Sequence, residues 1–249
     1  MKKILYISNS FGEDAARYLY GIARAAGENA KVVVLYIGGC SLYRHYRNML
    51  SEAKAYDYII DGIRTGLTVS LKETLLSDEW DYVTLQQSSP ESGREETYFP
   101  YITELAAYVR KMAPAAKLYI HETWSFADGC PRFGISGFAS REDMIPAVKK
   151  AYSVAADAVS TDGVLPSLDA MCALYDAIGD EAYRDGFHCS LGVGRYMLGC
   201  LGYITFFGRD VEGNTFRDLD VSVSEEKIIL AQKIAKETAL KHNIKFINN

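Results

Sequence analysis

The sequence predicts an α/β protein: a three-layer α/β/α sandwich built on a mainly parallel five-stranded sheet, with a small hairpin insertion. Two observations carry this expectation. Short apolar runs alternate along the chain with segments of helical period, the pattern of strand–helix–strand units. The apolar runs are continuous rather than interleaved with polar residues, as in strands covered by helices on both faces. No internal repeat interrupts the pattern, and 249 residues are expected to form one domain spanning 1–249.

The first strand is Ile4-Leu5-Tyr6-Ile7. It runs into Ser8-Asn9-Ser10-Phe11-Gly12, a strand-to-helix turn, and a helix is expected over 15–26, stopped by Gly27. Residues 31–37 form a β-branched second strand ending in Gly38-Gly39-Cys40-Ser41, before a helix over 42–53. Residues 56–70 alternate around Asp61-Gly62, a two-residue hairpin signal. A short helix over 71–77 leads to the third core strand, 81–87, then to a polar loop and a helix over 98–112. The fourth strand is 117–121. Residues 125–140 are rich in glycine and aromatics and start at a strand end, so they are expected to line or cover a pocket. Ser140, with Glu142-Asp143 behind it, caps a helix running to 158. A short fifth strand is expected at 158–160, ending at Thr161-Asp162-Gly163, followed by helices over 166–178, 191–207 and 224–242.

Bulk composition removes several function classes. The formal net charge is −5, without the basic surplus a nucleic-acid partner requires. No 18-residue apolar run is present, so no membrane span is expected. The basic start Met1-Lys2-Lys3 is followed by only four apolar residues, too few for an export signal. The five cysteines are scattered without a C-x-x-C pair, as expected of free thiols in a cytoplasmic protein. Neither phosphate-loop signature occurs, no His/Cys/Asp cluster has metal-ligand spacing, and no cofactor is expected.

In an open α/β sheet, ligands bind beyond the carboxyl ends of the strands. Those ends offer Ser10, Gly38-Gly39, Gln86-Gln87, His121-Glu122-Thr123-Trp124 and Asp162. Ser10 becomes a nucleophile only with a base to take its proton and donors to hold an oxyanion. Of four histidines, His242 reads as a solvated residue and His45 as a surface or capping one. His121 and His188 are the rival bases. Asp185 stands three residues before His188, a spacing at which a carboxylate can hold Nδ1–H and free Nε2. Glu122 with Asp162 forms an alternative carboxylate pair, and Trp124, Phe126 and Phe133 an alternative aromatic wall for a sugar.

The order of these blocks resembles the SGNH hydrolases, the GDSL esterase/lipase superfamily, whose scaffold is flavodoxin-like. Ser8-Asn9-Ser10 resembles its first block, Gly39 the second-block glycine, and Asp185-Gly186-Phe187-His188 the last. Asn9-Ser10-Phe11-x-x-Asp14, Leu85-Gln86-Gln87 and His121-x-Thr123-Trp124 are similar to a bacterial branch known only as a domain of unknown function. The resemblance covers nearly the whole chain and rests on block order. It implies that Ser10 attacks an ester carbonyl, with His188 as base and Asp185 orienting it. The oxyanion hole would be the N–H groups of Ser10 and Gly39. The third block, Gly-x-Asn-Asp, is replaced by Gln86-Gln87-Ser88-Ser89. Gln87, nearer the strand end, is the first choice for the missing amide donor, because consecutive strand side chains point oppositely. Asn9, Gln86, His121 and Trp124 would line the pocket. The implied substrate is a small or carbohydrate-linked acyl ester, removed by a deacetylase or short-chain esterase. The alternative is a non-catalytic small-molecule or glycan-binding protein on the same scaffold.

Overall fold

Residues 1–247 are described by a computed structural model, in which one seven-stranded sheet organises the chain. The strands are β1 (Lys2–Ser8), β2 (Ala30–Tyr36), β3 (Tyr56–Ile60), β4 (Ile63–Val69), β5 (Tyr82–Leu85), β6 (Lys117–Glu122) and β7 (Gly163–Pro166). Their spatial order is β4-β3-β2-β1-β5-β6-β7. Five of them, β2-β1-β5-β6-β7, are parallel, and β3 and β4 add antiparallel to the β2 edge. Ile4, Leu5, Tyr6 and Ile7 of β1 are fully buried, as a central strand between two helical layers must be. The three-layer architecture is therefore the one the sequence predicts. The hairpin over Asp61-Gly62 forms, both residues adopting positive φ, and its two strands extend the five-stranded core to seven.

The helices are α1 (Ser10–Ala16), α2 (Leu19–Ala25), α3 (Leu42–Ser51), α4 (Leu71–Leu76), α5 (Tyr101–Met112), α6 (Phe133–Ser136), α7 (Arg141–Ala158), α8 (Ser167–Ile178), α9 (Val193–Phe207) and α10 (Glu225–Lys241). Serine caps account for several starts: Ser41 accepts from Arg44 N, Ser140 from Asp143 N and Ser224 from Lys227 N. The helix expected over 15–26 is instead two, divided at Arg17-Tyr18, where Tyr18 OH donates to Leu191 O and accepts from Asp220 N, both at 2.7 Å.

The fifth parallel strand departs from expectation. Residues 158–160 close α7 rather than form a strand: Val159 N and Thr161 N return to carbonyls of the last helical turn, and Ser160 takes φ 47°. The strand starts at Gly163, where a Cβ would lie 2.5 Å from the Tyr119 ring. Buried Val159 belongs to the helix end, and its β-branched side chain imitates a strand signal. This shift moves Asp162 to the amino end of the sheet, opposite the rim on which the sequence placed it. Its Oδ2 accepts from Leu118 N at 2.8 Å.

Candidate active site

Chain direction changes sides at β1: β2 lies on one flank and β5 on the other, so β1 ends in the crevice where such sheets bind ligands. Asn9 follows it as the N-cap of α1, and its Oδ1 accepts from Phe11 N at 3.0 Å. Ser10 is the first helical residue, so its N–H has no intrahelical acceptor. Helix α1 lies close against the end of β1. A Cβ on Gly12 would sit 2.3 Å from Ser8 Oγ and 2.7 Å from Gln86 Oε1, so glycine is required there.

The loop before α9 meets this serine. Asp185 Oδ1 accepts from His188 N at 2.8 Å and from Phe187 N at 3.2 Å, folding the loop around the carboxylate. Asp185 Oδ2 lies 2.6 Å from His188 Nδ1, and His188 Nε2 lies 2.8 Å from Ser10 Oγ. A carboxylate only accepts, so Nδ1 carries the proton and Nε2 is the acceptor facing the Ser10 hydroxyl. Partial burial works to raise the Asp185 pKa, but its hydrogen bonds from His188 and Phe187 outweigh this and keep it below the usual carboxylate value.

A buried ion pair network fixes this meeting. Asp14, one turn beyond Ser10 on α1, is fully buried. Its carboxylate accepts from Arg184 Nη1 at 2.9 Å and from Arg195 Nε at 2.8 Å. Arg184 is the neighbour of Asp185 and also donates to Cys189 O, while Arg195 stands in the first turn of α9 and reaches Asp220. Trp124 adds a second brace: its ring stacks on Phe11 at 4.2 Å and its Nε1 donates to Phe187 O at 2.8 Å.

The remaining expected site residues divide sharply. Asn9 lines the cavity and donates from Nδ2 to Cys40 O at 3.0 Å. Gln86 is buried behind it, with Nε2 donating to Asn9 Oδ1 at 2.8 Å and Oε1 2.8 Å from His121 Nδ1. His121 is fully buried, and its Nε2 lies 3.1 Å from Ser167 Oγ. The order of donors along this chain makes His121 a neutral Nδ1–H tautomer that accepts from Ser167. Burial lowers its pKa to about 3, so it is not the base beside Ser10 but part of a fixed relay behind Asn9.

Gln87 does not supply an oxyanion donor. Its Nε2 donates to Thr97 O and Oγ1 at 3.2 and 3.1 Å, and its Oε1 accepts from Leu42 N and Ser88 N at 2.9 and 2.8 Å. A buried amide with both ends committed ties β5 to the start of α3 instead. Trp124, Phe126 and Phe133 are buried packing residues rather than a sugar-binding wall. Glu122 is buried at the end of β6 and Asp162 is at the opposite end of the sheet, so they form no carboxylate pair. His45 is fully buried against Tyr56 OH at 2.9 Å, not on the surface, because α3 turns that face inward; its pKa falls to about 3 through burial. His242 is half-buried and paired with Asp169 at 2.9 Å, rather than solvated.

Beside Ser10 and His188 opens a cavity of about 520 Å³, a size suited to a small ligand. Gly38 and Gly39, exposed and the latter at φ 61°, line it with Ser41. Tyr36, Phe11 and Phe187 supply apolar wall, and Ser88, Ser89, Arg94 and Arg132 stand around it. Sequence reasoning missed Arg94, Arg132, Arg184 and Arg195. The position of Arg184 next to Asp185 was the one available signal; Arg195 follows in the next helix, and Arg94 and Arg132 come from distant segments. Among the described residues, no group of three or more His, Cys, Asp or Glu side chains could hold a metal ion, and all five cysteines are free. No helix of the described residues is long and apolar enough to cross a membrane.

The α/β/α fold is shared with solved structures assigned to the SGNH hydrolases. A protein from Slackia heliotrinireducens assigned to the SGNH hydrolases superposes with a TM-score of 0.55 at 23% identity, over 76% of this chain and 90% of that one. A GDSL-like protein from Parabacteroides merdae ATCC 43184 does so with a TM-score of 0.54 at 14% identity, over 80% and 92%. The chain itself belongs to the family described as Domain of unknown function (DUF4886), whose model matches residues 3–239. A DUF4886 family protein from Bacteroides uniformis ATCC 8492 has a TM-score of 0.89 at 30% identity, over 99% of this chain and 97% of that one. No curated protein matches the sequence.

Proposed function

We propose that the protein is a serine esterase that cleaves a small acyl ester, an acetyl or other short-chain ester on a carbohydrate or similar alcohol. The observation that carries this reading is the unbroken series Asp185 Oδ2, His188 Nδ1, His188 Nε2, Ser10 Oγ at 2.6 and 2.8 Å, opening on a cavity. Ser10 Oγ attacks the ester carbonyl carbon while His188 Nε2 takes its proton. The carbonyl electron pair moves onto oxygen, where the N–H groups of Ser10 and Gly39 receive it. Collapse expels the alcohol, which takes the proton from His188. Water then attacks the acyl-serine, giving its proton to His188. The second collapse releases the acid and returns the proton to Ser10. Asp185 keeps Nδ1 protonated and orients the ring throughout.

Purified protein is expected to hydrolyse p-nitrophenyl acetate, and Ser10→Ala to abolish this with an unchanged melting temperature. Turnover by Ser10→Ala equal to that of the parent would overturn the assignment. The commitment of the Gln87 amide to Thr97 favours a second reading, a binding protein on a hydrolase scaffold, since losing one oxyanion donor costs on the order of 10²–10³ in rate. Covalent labelling of Ser10 by a fluorophosphonate probe separates the two: labelling supports the esterase, and ligand binding without labelling supports the binding protein.

A further inference from the structure

We infer that the substrate carries an anionic oxygen group, a carboxylate or its sulfate-like equivalent, held by Arg132 at the mouth of the cavity; this rests on the esterase reading above. Arg132 lies in the long segment after β6, immediately before α6, and lines the same cavity as Ser10 and His188. Its guanidinium carbon is 3.7 Å from the centroid of the Phe187 ring, and that ring is 3.9 Å from the His188 ring. Among the described residues, Arg132 makes no ion pair or side-chain hydrogen bond. The acidic residues around the cavity are engaged elsewhere: Glu13 pairs with Arg64 at 2.7 Å, and Glu91 accepts from Ser88 Oγ at 3.0 Å.

A stacked guanidinium is a cation whose face is used and whose five N–H donors remain on offer. Its planar fork matches a carboxylate or sulfate edge with two parallel hydrogen bonds. The segment that carries it is anchored. Ala127 N donates to Gly186 O at 2.7 Å, and Cys130 packs on Gly186, so the arginine backbone is tied to the loop bearing Asp185 and His188. Arg94 also lines the cavity, 3.7 Å from Glu91. A neutral ester would leave the Arg132 donors to water. An ester with an acidic group would use them and, through the fixed loop, be set in register with Ser10.

The test compares three acetate esters with the intact protein: methyl 4-acetoxybenzoate, its free acid 4-acetoxybenzoate, and 4-sulfophenyl acetate. The expected result is a kcat/KM for at least one anionic ester about tenfold or more above that for the neutral one, in the range of one well-placed charged hydrogen bond. In Arg132→Gln this ratio should collapse towards one, and Arg132→Lys should keep part of it. A ratio near one in the parent, or an unchanged ratio in Arg132→Gln, overturns the anionic subsite while leaving the esterase standing. Hydrolysis of none of the three overturns the esterase itself. In that event, calorimetric binding of 4-hydroxybenzoate against its methyl ester, to the parent and to Arg132→Gln, still decides the subsite. Preference for the acid that disappears in the variant supports it, and equal binding overturns it.

Discussion

Single residues near the rim of the sheet look alike in the sequence and do very different work in the fold. Gln86 and Gln87 are adjacent amides, yet one orients the cap residue Asn9 and the other ties β5 to α3. His121 and His188 are both rim histidines, yet one is sealed in a relay and the other faces Ser10. Glu122 is the acidic counterpart of His121. Burial, with the Asp169 charge added, raises its pKa from 4.5 to about 8, against the opposing charges of Lys149 and Lys241. The native state keeps this proton up to about pH 8, whereas the unfolded chain releases it near 4.5. Glu122 thus makes stability fall as pH rises across that window, by about 1.4 kcal/mol per pH unit. Glu122→Gln is expected to raise the melting temperature at pH 8 and to gain little at pH 4.5. An equal shift at both values would show that Glu122 ionises normally.

At the scale of elements, the site depends on two segments being held in register, with Ser10 and His188 178 residues apart in the chain. Helix α1 brings Ser10, and the loop before α9 brings Asp185 and His188. Nothing covalent joins them. Asp14 does so through Arg184 and Arg195; removing it leaves Arg184 charged without a carboxylate and Arg195 with Asp220 alone, and breaking a buried ion pair in this way costs about 3–5 kcal/mol. Asp14→Asn is therefore expected to lower urea resistance by an amount in that range. It should also reduce kcat on p-nitrophenyl acetate by roughly 10- to 100-fold in protein that is still folded, since misplacement of about 1 Å at a reacting group has that scale of cost. A stability loss with unchanged kcat would show that Asp14 supports the fold and does not set the serine–histidine distance.

For the whole molecule, the sheet has a functional polarity. All five parallel strands have their carboxyl ends on the edge of the sheet that carries Ser10, while their amino ends carry structural ties such as Asp162 to Leu118 N. Asp162→Ala removes the acceptor of a half-buried amide and should cost about 1–3 kcal/mol. The same variant should leave turnover per folded molecule intact. Impaired kcat in the folded variant would mean that the two ends of the sheet communicate. The edge hairpin belongs with the cavity end: Arg64 of β4 pairs with Glu13 and stacks on Tyr36 at 4.4 Å, so an apparent insertion stiffens one cavity wall.

The sequence alone determined the layered architecture, the four strands from β1 to β6 in the parallel core, the hairpin, and the block order that points to Ser10, Asp185 and His188. These follow from local signals: apolar period, capping residues, turn dipeptides and a D-x-x-H spacing short enough to close within one turn. The tertiary structure decided the rest. Whether an amide is a donor to the cavity or a brace depends on which distant backbone meets it, as Thr97 and Leu42 meet Gln87. A histidine becomes a base or a buried link according to what lies across from its Nε2, here Ser10 for His188 and Ser167 for His121. Arg132 and Arg195, and the pairing of Asp14 with Arg184, acquired meaning only when remote segments packed, because charge and hydrogen-bond partners are set by distance in space and the chain records only distance along itself.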